Sequence, residues 1–198
     1  AQRSYAEHSQ LAAGNWFKIG IPASGVYKID GSFLQELGIP IPAASTEIRL
    51  YGRNGKLPGE AGDAPYLDDL QEIDFELHDG GDGQFGNADW LAFYAAGADS
   101  WVPDTILQRF TLHHNIYSDT AFVFLSIGGI GSRVTTATAG AAASDTIRSY
   151  QYRYHYENDL YNLLSGGQEW YGERFQSEQP QTLFFDIPIP TPVPGLPA

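Results

Sequence analysis

An acidic, glycine-rich loop that leads directly into an alternating apolar segment constrains this chain more than any other feature. Residues 79–94 read DGGDGQFGNADWLAFY, in which Asp79, Asp82 and Asp89 stand among four glycines that can adopt the positive φ values of a sharp loop. Residues 90–94 are all apolar or aromatic, which predicts a strand covered on both faces. The stretch is therefore either the connection of a β-hairpin or a cation site.

The composition predicts a mainly β fold. The 198 residues include 22 Gly, 12 Tyr, 11 Phe and 12 Pro, whereas only 18% are charged. Strands and turns use these residues more than helices do. We expect a twisted antiparallel β-sandwich of about eight strands with one or two short helices.

Charge and cysteine content exclude several classes of function. The formal net charge of −13 repels phosphate backbones and anionic lipids, so neither nucleic acid nor direct membrane insertion is expected. The longest apolar run, residues 121–131, is about half the length of a membrane-spanning helix. There is no Cys, so the sequence has no disulfide, zinc–thiolate site or cysteine nucleophile.

Local patterns place the first elements along the chain. Residues 15–21 and 26–29 are short β-rich runs joined by Pro22-Ala-Ser-Gly25, which predicts a hairpin. Asp30 can cap a short helix over 32–37 that Gly38 ends. Further strands are predicted over 47–51, 73–77, 120–127 and 182–187.

Four tyrosines at alternate positions predict a strand over 149–157. They lie on the same face, and the alternation favours burial of that face beneath a second sheet. A carbohydrate-stacking platform is the alternative. The four residues are Tyr150, Tyr152, Tyr154 and Tyr156.

A second aromatic feature is the segment 159–175, in which Gly166, Gly167 and Gly172 flank Trp170 and Tyr171. The sequence favours a loop anchored on the core by Trp170, because buried Trp side chains commonly fix long loops. The alternative is a surface that binds a ligand or partner.

Calcium is the one cofactor that the pattern suggests, and none is required. With Gly83 at the sixth place of an EF-hand loop, Asp82 and Asp89 occupy the fifth and twelfth places, but His78 and Gly80 stand where ligands are needed. A calcium site of another type, built from Asp79, Asp82 and Asp89, stays open beside the hairpin interpretation. A second carboxylate group could join it only if the fold brings the loops together: Asp63, Asp68, Asp69 and Glu72.

No residue is singled out for catalysis. His113 and His114 are adjacent and would face opposite sides of a strand, which favours solvated or hydrogen-bonded roles. No GxSxG motif supports a Ser/His/Asp triad, and 24 acidic residues define no particular carboxylate pair.

Several blocks, in order, resemble the N-terminal region of type IX secretion system sortases of the PorU type and of related gingipain-type cysteine peptidases. Together they cover most of residues 14–175. They are GNWFKIGIPASGVYKID, FLQELGI, IRLYGRNGKLP, DDLQEIDFEL, DGQFGNADWLAFYAAGADSW, HHNIYSDTAFVFLSIG and YENDLYNLLSGGQEWYGERF.

The resemblance implies that this chain is a non-catalytic N-terminal region of a larger exported protein at the outer membrane or cell surface. The family's sortase cleaves the C-terminal signal of exported cargo and attaches the cargo to the surface. The gingipain-like catalytic domain would lie outside this chain. The implied partners are that downstream domain, outer-membrane components of the secretion system and the cargo protein.

The expected organisation is a flexible N-terminus over 1–13, a β-rich domain over 14–187 that forms one unit or two subdomains, and a Pro-rich linker over 188–198. The linker is expected to lead to a missing downstream domain. The alternative function is an autonomous carbohydrate-binding or adhesive surface module. Its stacking residues would be Tyr150, Tyr152, Tyr154, Trp170 and Tyr171.

Overall fold

The computed structural model of this protein describes residues 5–53, 67–106, 108–115, 118–135, 152–166, 170–175, 181–184 and 186–187. The chain divides into two units, Ala1–Ala137 and Thr138–Ala198. Within the described residues, every named strand and the single helix belong to the first unit. The boundaries expected at 13 and 188 remain predictions, and the Pro-rich segment lies outside the described residues.

The first unit contains eleven strands, one α-helix and two 3₁₀ turns in its described part. In chain order the strands are β1 Trp16–Ile21, β2 Gly25–Asp30, β3 Ala43–Ala44, β4 Ile48–Gly52, β5 Gln71–Glu72, β6 Glu76–His78, β7 Gln84–Phe85, β8 Trp90–Ala95, β9 Ser100–Asp104, β10 Arg109–His113 and β11 Ala121–Ile127. The helix α1 is Gly31–Glu36, and the 3₁₀ turns are Gln10–Ala12 and Ser45–Glu47.

All pairs among these eleven strands are antiparallel. One sheet has the order β1-β11-β4-β5, and a second has the order β2-β8-β6. The registers place Ile19 opposite Val123 in the first sheet and Leu77 opposite Leu91 in the second. Two ribbons, β3 with β7 and β9 with β10, complete the pairing.

The two larger sheets contribute to one apolar core, as the alternation along their strands predicts. The mainly β, sandwich-like fold expected from the sequence is therefore confirmed. The buried members of this core are Ile21, Ile29, Leu34, Ile39, Ile48, Leu50, Ile73, Phe75, Phe85, Leu91, Phe93, Ala95, Val123 and Leu125.

The helix forms where its capping signals predict it. Asp30 Oδ1 accepts hydrogen bonds from the Phe33 amide at 3.1 Å and the Ser32 hydroxyl at 2.6 Å. The Ser32 hydroxyl, followed by the Phe33 amide, lowers the pKa of Asp30. The helix ends before Gly38, whose φ of 80° requires little energy in glycine.

The expected first hairpin is wrong, because β1 and β2 lie in different sheets. β1 pairs with β11, and β2 pairs with β8. The short connection after Ile21 carries the chain from one sheet to the other, so that Ile21 and Ile29 enter the same core.

The strand predicted over 90–94 is confirmed, but it is not covered on both faces. Leu91 and Phe93 are buried, and the ring of Trp90 is covered by that of His78 at 3.7 Å. Tyr94, on the same face as Trp90, is 60% exposed. Only one face of this sheet packs against the core, so the other face is exposed to solvent.

Two further predicted strands do not form in their described parts. Residues 152–157, 181–184 and 186–187 form no regular secondary structure. Residues 149–151, including Tyr150, and residue 185 lie outside the described residues. Alternation permits a strand, but a strand exists only where a neighbour completes its hydrogen bonds.

Candidate functional site

The acidic loop connects β6 to β8 and is held at its centre by the core. Within it, β7 pairs with β3, so that Phe85 lies opposite Ala43 and is fully buried. The Ser45 amide donates to the Gly83 carbonyl at 3.0 Å. Gly80, Gly81 and Gly83 have φ values of 67°, 85° and 77°, so the loop uses its glycines as the sequence indicates.

Each of the three candidate calcium ligands bonds to the backbone of its own loop. Asp79 Oδ1 accepts from the Gly81 amide at 3.0 Å, and Asp82 Oδ1 accepts from the Gln84 amide at 2.8 Å. Asp89 Oδ2 accepts from the Gly86 amide at 2.6 Å. These are the local bonds by which Asp side chains stabilise turns.

The electrostatics of Asp79 are consistent with this role. The buried Ser45 hydroxyl, followed by the Gly81 amide, lowers the pKa of the Asp79 carboxyl. A carboxylate that accepts hydrogen bonds in its charged form titrates below its ordinary range. The loop connects two paired strands, β6 and β8, and its three aspartates accept hydrogen bonds from its own backbone.

Calcium binding stays a prediction. Among the residues that the structure describes, no three His, Asp or Glu side chains are grouped so that they could hold a metal ion. In the second carboxylate group, Asp69 accepts from the Ser9 hydroxyl at 3.1 Å and the Gln10 amide at 2.5 Å. Glu72 pairs with Arg49 at 3.4 Å. Asp63 lies outside the described residues.

The tyrosines of the second unit that the structure describes are exposed. Tyr152 and Tyr154 are each 40% exposed, so the interpretation of these side chains as core residues is wrong. Trp170 is 49% exposed, so it is not the buried Trp that the sequence favours. Both corrections leave the interaction-surface alternative open for Tyr152, Tyr154, Trp170 and Tyr171.

A pair of backbone hydrogen bonds closes the aromatic loop. The Tyr161 amide donates to the Tyr171 carbonyl at 2.9 Å, and the Tyr171 amide donates to the Tyr161 carbonyl at 2.8 Å. The Leu160 amide also donates to the Tyr171 carbonyl, at 3.0 Å. We call residues 161–166 and 170–171 the leucine loop, because they include Leu163 and Leu164; residues 167–169 lie outside the described part of the chain.

A polar cluster ties together the two segments that lead into the leucine loop. The Tyr156 hydroxyl donates to Glu173, and the Asn158 amide group donates to the Tyr156 oxygen at 2.6 Å and to Glu173 Oε1 at 3.3 Å. The bond from Tyr156 lowers the pKa of Glu173, and Glu173 in turn raises the pKa of Tyr156. We call these three residues the polar clasp.

Sequence reasoning missed the two leucines at the tip. Leu163 is 71% exposed and Leu164 is 86% exposed. The Gly166 amide donates to Asn162 Oδ1 at 3.2 Å, and Ser165 has a φ of 52°, so the tip is turned back on itself. The sequence signal that could have indicated their exposure is their position between Asn162 and the turn-forming residues Ser-Gly-Gly.

Three of the five histidines, His78, His114 and His155, lie beside a carboxylate. His114 Nδ1 lies 3.0 Å from Asp99 Oδ1, and His78 Nε2 lies 2.8 Å from Glu76 Oε1.

Within the described residues, no helix is long and apolar enough to cross a membrane.

Comparison with solved structures finds a relative of part of this chain. No protein-family model matches this chain, and no curated protein matches it. A crystal structure of dimeric latent PorU from Porphyromonas gingivalis superposes on 72% of this chain with a TM-score of 0.53 and 27% sequence identity. This chain is similar to part of PorU. It covers 12% of that PorU chain, so the similarity concerns a small part of the larger protein.

The PorU similarity supports part of what the sequence indicates. It agrees with the family that the sequence blocks resemble, and it supports a PorU-related, mainly β region. The activity, substrates and partners of the whole relative belong to a protein much longer than this chain.

Proposed function

We propose that this chain is a non-catalytic N-terminal region of a PorU-like, gingipain-type cell-surface protein of the type IX secretion system. The observation that carries the proposal is the similarity to PorU over 72% of the chain. The parent protein would cleave the C-terminal signal of exported cargo and attach the cargo to the surface. Its catalytic domain would lie outside this chain.

The absence of Cys supports the non-catalytic role. A gingipain-type peptidase needs a cysteine thiolate as nucleophile, and the sequence has none. The proposed role of this region is to position or shield the catalytic domain, or to dock components of the secretion system. The proposed partners are the downstream catalytic domain, outer-membrane secretion components and cargo.

The size and location of the native protein test this proposal. An antibody raised against this chain would be applied to fractions of the source cells, with and without proteolysis of the intact surface. We expect a band far larger than 21.7 kDa in the outer membrane that surface protease removes. A secreted or periplasmic band at 21.7 kDa would contradict the proposal. Peptide turnover by the isolated chain would contradict its non-catalytic part.

A carbohydrate-binding module is the second candidate, favoured by the half-exposed rings of Tyr152, Tyr154 and Trp170. Aromatic faces of this kind stack on sugars. The test is quenching of Trp fluorescence by soluble glycans, which Trp170→Ala should abolish. Trp101→Ala is the matched control, because Trp101 is also partly exposed but lies on β9 of the first unit.

A further inference from the structure

The sheet formed by β2, β8 and β6 has a second face, opposite to the one that packs on the core. Its members follow from the registers, because Leu91 and Phe93 of β8 are buried and the residues that alternate with them therefore point outward. We call this surface the outer face. Its residues are Val26, Lys28 and Asp30 of β2, Trp90, Ala92 and Tyr94 of β8, and Glu76 and His78 of β6.

A small residue, Ala92, lies at the centre of the outer face, and larger side chains surround it. Ala92 is opposite Lys28 on β2 and opposite Glu76 on β6. Along β8 it lies between Trp90 and Tyr94, which are four residues apart and therefore separated by about 13 Å. The surface is thus lowest over Ala92, with an aromatic residue at each end and a charged residue at each side.

The Trp90 end of this arrangement is held by its neighbours. The His78 ring stacks on Trp90 with the ring centres 3.7 Å apart, and Glu76 Oε1 lies 2.8 Å from His78 Nε2. Lys28 Nζ lies 5.5 Å from the centre of the Trp90 ring. These contacts hold a carboxylate and an ammonium group beside Ala92, so less conformational entropy is lost when the two groups bind a ligand.

The Tyr94 end is open. Tyr94 is 60% exposed, and Val26 opposite it is 76% exposed. In the part of the chain that the structure describes, no ring and no cation packs on the Tyr94 ring. An exposed tyrosine ring can pack on the C–H groups of a sugar while its hydroxyl group forms hydrogen bonds.

The charges on and around the outer face disfavour a charged ligand. Lys28 is the basic residue of the face, and His78 adds a positive charge only when it is protonated. The acidic residues on the face or within two residues of the ends of its strands are Asp30, Asp74, Glu76, Asp79 and Asp89. They would repel phosphates and carboxylates, whereas a cation would be opposed by Lys28 at the centre. A neutral ligand avoids both costs.

The position of the charged side chains also disfavours burial against another protein. Lys28 and Glu76 flank the centre of the face, and a protein that covered it would have to remove water from both. Charged residues are depleted at the centres of protein interfaces. The hydroxyl groups of a sugar can instead pair with both side chains, which remain partly hydrated.

We propose that the outer face binds a neutral glycan. One sugar ring packs on Tyr94 and Val26 over Ala92, and its hydroxyl groups accept a hydrogen bond from the Lys28 ammonium group and donate one to the Glu76 carboxylate. The site consists of first-unit residues and uses none of the aromatic residues of the second unit. It does not depend on a PorU-like parent protein.

The first test is affinity electrophoresis of the full chain through gels that contain mannan, dextran, galactomannan or arabinoxylan, all of which are neutral. We expect at least one of them to retard the chain, and Tyr94→Ala to weaken the Kd by about tenfold or more, because the sugar loses its aromatic contact. Tyr5→Ala is the matched control, since Tyr5 is 63% exposed and lies outside the three strands of this sheet. Retardation by none of the four polysaccharides, or an equal loss in both variants, overturns the proposal.

Two conservative variants test the polar contacts with the aromatic ring in place. Lys28→Met and Glu76→Gln keep the approximate length of each side chain, and we expect each to weaken the Kd by about threefold or more. Raising NaCl from about 50 mM to about 500 mM should change the Kd of the unmodified chain by less than about twofold, because the ligand carries no charge. Unchanged affinity in both variants, or a steep loss of binding with salt, contradicts the proposal.

Tryptophan fluorescence separates this site from the aromatic residues of the second unit. A glycan on the outer face should change the emission of Trp90, and the change should be lost in Trp90→Phe and kept in Trp170→Ala. If Trp170→Ala instead abolishes binding while Tyr94→Ala preserves it, the glycan belongs to the second unit and the proposal is overturned. The cell-fractionation experiment is independent of these results, because it tests only the parent protein.

Discussion

Gly131 shows how closely two backbone segments of the first unit approach each other. Its amide donates to the Thr46 carbonyl at 2.9 Å, and a Cβ added to it would lie 2.0 Å from the Ile48 carbonyl oxygen. No side chain fits there without movement of the backbone. The contact holds the segment after β11 against the start of β4.

We therefore expect Gly131→Ala to lower the free energy of unfolding by about 1–3 kcal/mol, as overpacking does. Urea unfolding followed by circular dichroism would measure it. Gly25→Ala is the control, because a Cβ at Gly25 would meet nothing within 4 Å. Equal stability of the two variants would show that the backbone at Gly131 moves away without cost.

Arg133 connects the segment after β11 to the backbone at the start of β4 and to Phe75 of the core. It donates to the Ser45 carbonyl at 2.6 Å and to the Ile48 carbonyl at 3.3 Å, and its guanidinium lies 4.0 Å from the centre of the Phe75 ring. Partial burial lowers its pKa, although Glu72 and Asp79 oppose that effect. The group remains a cation at physiological pH.

Arg133→Met should keep the packing on Phe75 and remove the guanidinium's hydrogen bonds to the Ser45, Ile48 and Ser132 carbonyls. We expect a loss of about 1–3 kcal/mol in the free energy of unfolding, because buried carbonyls lose a donor. The control is Arg109→Met, an exposed position on β10, which should change stability by less than about 0.5 kcal/mol. A similar loss in both variants would refute a specific role for Arg133.

The acidic loop between β6 and β8 is the element on which the calcium prediction is tested. To bind calcium, the three carboxylates would have to give up their hydrogen bonds to backbone amides and coordinate the ion instead. If the loop binds calcium, the ion should raise the melting temperature, and Asp82→Ala should abolish that rise. Glu157→Ala is a control acidic residue of the second unit. An unchanged melting temperature would leave the loop as a hairpin connection.

The polar clasp should make the leucine loop sensitive to acid. Because hydrogen bonds lower the pKa of Glu173 in the folded state, its contribution is present above the unfolded-state pKa and is lost as pH falls through the lower folded-state pKa. We expect Trp170 fluorescence in the full chain to change in this acidic range. Glu173→Gln should remove that transition, whereas Glu157→Gln should preserve it. A transition that persists in Glu173→Gln would assign it to another group.

Elements with local signals could be predicted from the sequence, and their partners could not. The Asp30 cap and Gly38 specify α1 almost to the residue, and the apolar runs specify β8 and β11. The assignment of β1 and β2 to different sheets depends on tertiary packing that no short window contains. The same holds for Arg133, whose bonds reach residues 85 and 88 positions away.

The candidate site residues also fall into two groups: roles that local sequence predicts, and exposures that depend on tertiary structure. The turn role of Asp79, Asp82 and Asp89 follows from their spacing among glycines, and the structure shows it. The exposure of Tyr152, Tyr154 and Trp170 could not be predicted, because alternation fixes which side chains share a face but not what covers that face. Exposure of Leu163 and Leu164 likewise depends on the closure of a loop by residues outside the pair.

At the scale of the whole molecule, the core lies within one of the two units. Its buried residues run from Ile21 to Leu125, all inside Ala1–Ala137. Among the described residues of Thr138–Ala198, no side chain is classed as buried. Since buried apolar area supplies most of the stability of a domain, the first unit should carry the cooperative unfolding of the chain.

We therefore expect residues 1–137 alone to unfold in one cooperative urea transition, with a free energy of unfolding within about 1 kcal/mol of the full chain. Residues 138–198 alone should show no such transition. Amide hydrogen exchange on the full chain provides an independent measurement: protection should be concentrated in β1, β4, β8 and β11 and be weak around the leucine loop. If the 1–137 fragment unfolds without cooperativity, the second unit stabilises the first. The leucine loop would then belong to the folded body of the protein.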